Sequence, residues 1–361
     1  MEVRLITPVC NTGYGVVGLN LLLALQRQGH RVRLVPRGEV VCSQANHPNI
    51  QQALETTVTD SAPSVALAQL HPETESLFPA QGLKVLFTIF ELDTFSPDEL
   101  TWLQQPDRVM VCSRWARTVL QQNGLAADRL MVVPLGVDDR VFPAASQTAT
   151  PGETHFFATG KFEMRKGYDF LAAVFAQAFR PEEPVRLTLH AWNAFLDDAY
   201  NEVWVNLFKN TPMADRVVIS RERFANQSSL SDLMAAADCG VFLSRAEGWN
   251  LGLLEMMAMG KPVIATHYSG HTEFVTPANA RLVDVPEVEP AQDGVFFQGQ
   301  GNWARLDRPQ AAQTIQHLRT IHQLKQTGQL TVNQAGITTG QQFSWDNAAI
   351  QLATQLQAAG A

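Results

Sequence analysis

Glu247 and Glu255 stand eight positions apart in SRAEGWNLGLLE, which begins at Ser244 and runs directly into MMAMGKPVIAT. Two carboxylates at that spacing, one before a helix and one inside it, can each accept hydrogen bonds from the hydroxyls of a polyhydroxylated ligand. The side chain of Asn250 suits an N-cap, Leu251, Leu254 and Ala258 fall on one helical stripe, and Gly260 with Pro262 ends the run. This places Glu247 just ahead of the helix and Glu255 one turn in, turned toward the carboxyl edge of a sheet rather than toward solvent. The amides of Gly248, Trp249, Asn250 and Leu251 then offer an anion site between the two acids, fit for a phosphate. An ordinary amphipathic helix with a solvent-facing glutamate accounts for the stripe but not for the Glu-Gly-Trp-Asn before it.

A second cluster, GKFEMRKG from Gly160 to Gly167, gathers Lys161, Arg165 and Lys166 between a strand and a helix. In a chain of net charge −8 such a concentration suits a diphosphate, whose charge two or three cations offset. A solvated basic loop is the plain alternative. A third motif, GYGVVG from Gly13 to Gly18, follows the first strand and opens a helix, matching the GxGxxG dinucleotide fingerprint. The residues PVCNT intervene between strand and Gly13, however, where the dinucleotide turn follows its strand at once. What remains is a looser loop whose amides suit phosphate or sugar oxygens, or glycines that serve only a tight turn.

The elements that position these motifs read as two series of βα units, short β-forming runs alternating with stretches of helical period. VRLIT, HRVRLV, SVALAQ, KVLFTIF, RVMVCS and RLMVVP are the strands of the first; THFFATG, VRLTLH, RVVIS, CGVFLS and KPVIAT those of the second. The first helix carries Val16, Leu19 and Leu23 on one stripe and stops at Gly29; another runs from Ser113 to Gly124. Between the series, residues 135–153 lose periodicity and collect Pro, Gly, Ser and Thr, as a linker does. The expected domains are therefore 1–140 and 141–340, with 341–361 as a terminal helix that starts at Ser344 and can pack back onto either domain, the N-terminal one being the expectation. The region 285–307 carries no assignable period.

The 361 residues suit two domains, and 45% hydrophobic with 17% charged residues is ordinary globular usage. An excess of acid over base, with pI near 5.6, argues against nucleic acid as a partner. Cys10, Cys42, Cys112 and Cys239 lack the spacing of a disulfide framework or zinc site, and no run approaches the ~18 apolar residues of a spanning helix. A cytoplasmic protein is expected. Arg27, Arg31, Arg33 and Arg37 read as a solvated strand edge, and Trp115 and Trp303 as packing residues.

With its three motifs in order, the sequence resembles a retaining glycosyltransferase of family 4, the glycosyl transferase group 1 type. Glu247 and Glu255 match that family's E-x7-E pair, GKFEMRKG its G-[RK]-x4-KG loop, and Gly13 to Gly15 its N-terminal glycine loop. VCSRWARTVLQQNGL with VVPLGVDDRVF resembles the approach to its linker. The resemblance is weakest over 40–81 and 285–308. It implies an α/β architecture of two Rossmann-like domains facing across a cleft (GT-B), and transfer of a hexose from a UDP- or GDP-sugar to an acceptor hydroxyl on a sugar, small molecule or lipid. It implies further that Lys161 and Lys166 grip the donor diphosphate and stabilise the leaving group, and that Glu247 faces the transferred sugar. Glu255 would hold the ribose, Gly13, Gly15 and the amides from Gly248 to Leu251 would serve the donor, and Arg223, within Arg221 to Phe224, the nucleobase. Tyr14 and Glu91 fall on the acceptor side, Glu91 where many relatives carry a histidine.

No cofactor beyond the nucleotide-sugar co-substrate is expected, and no metal, since His190, His267 and His271 lack a ligand spacing and the lysines with helix amides can neutralise a diphosphate. Two rival functions remain. One is an NAD-dependent oxidoreductase, from GxGxxG and Glu39 beyond it; the other is a noncatalytic sugar-nucleotide-binding homologue.

Overall fold

The computed structural model describes residues 1–70, 77–78, 81–144, 152–221 and 227–360. The chain divides into two compact units, Met1–Asp138 with Phe224–Gln227 and Gln342–Ala361, and Asp139–Arg223 with Ser228–Gln341.

The first unit is built on β1 (Glu2–Thr7), β2 (Arg31–Pro36), β3 (Ser64–Leu67), β4 (Lys84–Phe87), β5 (Arg108–Val111) and β6 (Leu130–Val132). All pair in parallel, in the order β2-β1-β3-β4-β5-β6. Four residues of β3 and three each of β4 and β5 are buried, the signature of a parallel sheet covered on both faces. Its helices are α1 (Gly13–Arg27), α2 (His47–Glu55), α3 (Pro97–Gln104) and α4 (Arg114–Gln122). Ser96 and Glu99 form a capping box on α3, and Ser113 caps α4 through the Ala116 amide. The stripe expected on α1 is corrected: Val16, Leu19 and Leu23 are only half-buried, while Val17, Leu21, Leu22 and Leu25 form the core.

The second unit repeats the plan with β7 (Thr154–Thr159), β8 (Val185–His190), β9 (Val217–Ser220), β10 (Cys239–Phe242), β11 (Val263–Thr266) and β12 (Arg281–Val283), in the order β12-β11-β10-β7-β8-β9. Its helices are α5 (Tyr168–Ala178), α6 (Asp198–Lys209), α7 (Gln227–Ala236), α8 (Leu251–Ala258), α9 (Arg308–Gln326) and α10 (Gln334–Gln342). Phe156, Phe162, Phe175 and Phe208 anchor the core on the α5–α6 side. On α8 burial is not a stripe: Leu253, Leu254, Glu255, Met256, Met257 and Ala258 are all buried, and Leu251 is half-exposed. The unassigned region 285–307 holds an antiparallel hairpin, β13 (Val288–Gln292) and β14 (Gln298–Ala304). Its tip is set by Asp293, whose Oδ1 accepts from the amides of Val295, Phe296 and Phe297. Most of its side chains face solvent, so no apolar alternation marks it in the sequence.

The last helix, α11 (Trp345–Ala358), starts from a Ser344 cap and packs along α1 in the first unit, as expected. The stretch read as linker is tied down at its start: Leu135 and Val137 are buried, Val137 N–H donates to the Phe343 carbonyl, and Gly136 lies so close to Trp345 that a Cβ would collide.

Candidate functional site

In the second sheet the chain leaves β7 toward β8 and β9, then returns to lay β10 on the other side of β7. Ligands bind outside the carboxyl ends of strands at such a switch point. GKFEMRKG follows β7 and SRAEGWNLGLLE follows β10, so two motifs about eighty residues apart in sequence are brought side by side.

They meet through charge. Glu247, 4% exposed, receives Lys166 Nζ on Oε1 at 2.7 Å and Arg165 on Oε2 at 3.1 Å; the Ser244 hydroxyl donates to Oε1 at 2.6 Å. Burial alone would raise the pKa of this carboxyl, but Lys166 and Arg165 outweigh it and bring it down to about 2. Glu163, also buried, bridges Arg165 at 2.9 Å and Lys161 at 2.7 Å; burial opposes its ionisation, and Arg165 and Lys161 prevail to hold it below the usual range. Three cations thus face two carboxylates, leaving a net positive loop. The half-exposed Lys161 ammonium lies 5.1 Å from the Phe195 ring and 5.9 Å from that of Phe296 on the hairpin. Arg245 stitches the motifs together from behind, donating to the Met164 carbonyl and to both oxygens of Asp169 at 2.8 Å.

Glu255 is the opposite case. It is 5% exposed on α8 with no charged partner among the described residues, and burial pushes its carboxyl up to about 8. Asn250 precedes it in the left-handed region at φ +78°, its Oδ1 accepting from Leu253 N–H at 3.3 Å. The cap takes the Leu253 amide, which is not one of the Gly248–Leu251 amides expected to serve a ligand. The Trp249 indole is buried against Phe274, with centroids 4.9 Å apart.

At the carboxyl edge of the first sheet the glycine loop is fixed by shape. A Cβ on Gly15 would collide with Cys10 and one on Gly18 with Thr7, whereas Gly13 has no heavy atom within 4 Å of where its Cβ would lie. Tyr14, expected on the acceptor side, is held within the first unit. Its hydroxyl donates to the Ile89 carbonyl at 2.7 Å and accepts from the Ile89 amide at 2.9 Å, making it a strut between α1 and the chain after β4. Glu91 is half-buried near that strut. Arg223 lies outside the described residues; Arg221 stacks on Trp192 at 4.7 Å and pairs with Glu202. The sequence reading missed Arg165 and Glu163 as carboxylate-ordering groups, though both stand inside the motif it singled out. It also missed Ser244, which holds Glu247 from three positions away in the same motif, and Asp169, which β7–β10 adjacency brings against Arg245.

Two parallel six-stranded sheets, each wrapped by helices, with paired glutamates and a basic loop at one switch point, define a protein of GT-B fold. Residues 153–293, almost all of them in the second unit, match the family model described as glycosyl transferases group 1. Mannosylfructose-phosphate synthase of Agrobacterium fabrum is 25% identical over 210 residues, 53% of this chain and 44% of that protein. The chain matches less than half the length of its curated relatives. Among solved structures, a sucrose-phosphate synthase from Thermosynechococcus elongatus superposes with TM-score 0.71 at 18% identity, covering both chains completely. The Anabaena protein HepE, in complex with UDP and glucose, gives 0.70 at 18% identity over 99% of this chain and 100% of that one. Likeness at this identity establishes the fold. No helix among the described residues is long and apolar enough to cross a membrane.

Proposed function

We propose that this chain is a retaining hexosyltransferase that moves a sugar from a nucleoside diphosphate to an acceptor hydroxyl. The observation that carries the reading is the Lys161–Glu163–Arg165–Glu247–Lys166 network at the switch point of the second sheet: an ionised glutamate beside a net positive loop. The likeness of fold to a protein held with UDP and glucose supports UDP-glucose or a close analogue as donor.

In this reading Lys161 and Lys166 bind the diphosphate, and Glu255, kept protonated by burial, donates to or accepts from the ribose hydroxyls. Glu247 accepts from hydroxyls of the transferred sugar and orients it. The bond from C1 to the phosphate oxygen breaks as the acceptor oxygen forms its bond to C1 on the same face, and the acceptor proton passes to the departing phosphate. Negative charge growing on that phosphate is met by cations already in place, so the catalysis is electrostatic preorganisation. Glu247 is not required as a nucleophile, since Lys166, Arg165 and Ser244 all hold its oxygens. The first unit serves the acceptor.

The test is a panel of UDP- and GDP-hexoses with sugar, sugar-phosphate and lipid acceptors, following nucleoside diphosphate release and the anomeric configuration of any product. Release from one donor with retained configuration is expected. Binding of NAD in place of any nucleotide sugar, or binding without turnover with every acceptor and with water, would sink the reading.

A further inference from the structure

Ser269 stands at φ +64° and ψ −148°, a region of backbone space open essentially to glycine alone. Asn250 and Ser269 are the two non-glycine residues with positive φ among the described residues, and both border Glu247. Strain of this kind persists only where surrounding contacts impose it. Here the contacts come from the Glu247 loop. Gly270 approaches the Gly248 carbonyl so closely that no Cβ fits between them, and its N–H donates to the Glu247 carbonyl at 2.8 Å. The Ser269 hydroxyl accepts from the Glu247 N–H at 2.8 Å while donating to the Tyr268 carbonyl at 2.7 Å. Two consecutive residues thus hold both backbone polar groups of Glu247.

The turn is itself braced. His271, fully buried, donates from Nε2 to the Thr266 carbonyl at 2.5 Å, and the Thr272 hydroxyl donates to the Ser269 carbonyl at 2.6 Å. The Thr266 hydroxyl donates to the Ser244 carbonyl at 2.6 Å, and Ser244 in turn holds the Glu247 carboxylate. Glycine would adopt the Ser269 conformation without strain, so what serine adds is its hydroxyl.

We propose that Ser269 is a positioning residue for Glu247. Its hydroxyl fixes the Glu247 peptide, so that the carboxylate keeps its orientation between Lys166 and the sugar; the sugar side of this rests on the hexosyl-transfer reading, while the clamp on Glu247 does not. The hydroxyl spends its one donor and one of its two acceptor positions on backbone groups, leaving little of it for a ligand. The role is therefore orientation.

The test compares Ser269→Gly with Ser269→Ala. In Ser269→Gly the strain leaves with the side chain, so the thermal midpoint stays at or above that of the wild type. Its kcat for transfer or donor hydrolysis falls about tenfold or more with donor KM within about twofold, a loss felt in the transition state. Amide hydrogen exchange in peptides spanning 244–250 becomes faster. Ser269→Ala keeps the strain, loses the hydroxyl, and shows both a lower kcat and a lower midpoint. Wild-type turnover and exchange in Ser269→Gly would overturn the proposal; so would a fall in its midpoint with a parallel loss of UDP binding, the mark of a merely structural role. If the wild type turns over no nucleotide sugar, the hexosyl-transfer reading fails separately. Exchange in Ser269→Gly then decides the clamp, faster exchange supporting it and unchanged exchange overturning it.

Discussion

The carboxyl edges of the two sheets are built on different principles. At the first, the Gly13–Gly18 loop is fitted by shape: Gly15 against Cys10, Gly18 against Thr7, and Tyr14 bolted to Ile89. At the second, the motifs after β7 and β10 are held by charge, with Lys161, Glu163, Arg165, Glu247 and Lys166 in one chain of ion pairs. Within that edge the contrast sharpens again. Glu247 and Glu255 are almost equally buried, yet one is held at about 2 and the other pushed up to about 8. Burial is the largest influence on both. What separates them is whether cations stand close enough to outweigh it, so equal depth leads to opposite protonation.

The strongest way to break this comparison is Glu247→Gln. Turnover should fall by roughly two orders of magnitude or more while affinity for the nucleoside diphosphate stays near wild type or rises, since the amide no longer offsets Lys166 and Arg165. Steady-state kinetics and calorimetry with UDP decide it, and loss of UDP binding with retained turnover would reverse the assignment. Lys166→Ala comes next. A charge-assisted contact to phosphate contributes about 1.5–3 kcal/mol, so affinity for UDP should drop by roughly 10- to 150-fold, with uridine little affected. Equal UDP affinity in variant and wild type would remove this loop from the donor site.

Glu255→Gln tests the other carboxylate. Its nucleotide affinity should weaken by about tenfold, because the amide NH2 only donates where the carboxyl oxygen it replaces can also accept from a hydroxyl. Because the folded pKa of Glu255 lies above its ordinary value of 4.5, its contribution is fully present below that value and is lost as pH rises through about 8. Glu255→Gln lacks this descent, so its thermal midpoint should gain on the wild type as pH is raised through that window. Glu247 has the opposite sign: with a folded pKa of about 2, its contribution is present above 4.5 and lost as the medium is acidified toward 2. Parallel pH profiles for Glu255→Gln and wild type would place Glu255 in a wetter setting than its burial indicates. The smallest effects belong to the first edge. Gly15→Ala should cost roughly 1–3 kcal/mol in stability by overpacking, and Gly13→Ala about 0.5 kcal/mol or less, measured by denaturant unfolding. A costly Gly13→Ala with a harmless Gly15→Ala would show that shape does not set this loop.

What the sequence determined by itself is what depends on local chemistry. Strand runs, capped helix starts at Ser113 and Ser344, the αL glycines at Gly29 and Gly124, and the two charged motifs all follow from residue type and near spacing. The hairpin at 288–304 escaped because its surfaces are largely solvated, so no apolar period records it. The buried faces of α1 and α8 were misread for a related reason: helices covered on more than one side carry apolar residues nearly all round, and a single stripe cannot be picked from such a run. Tertiary structure alone decided that Lys166 and Arg165 clasp Glu247, that Tyr14 is a strut, and that Ser269 is bent into a glycine's conformation to hold the Glu247 peptide. Each depends on strands or turns far apart in the chain becoming neighbours. Electrostatic and hydrogen-bond energies fall off over a few ångströms of space, whatever the separation in sequence.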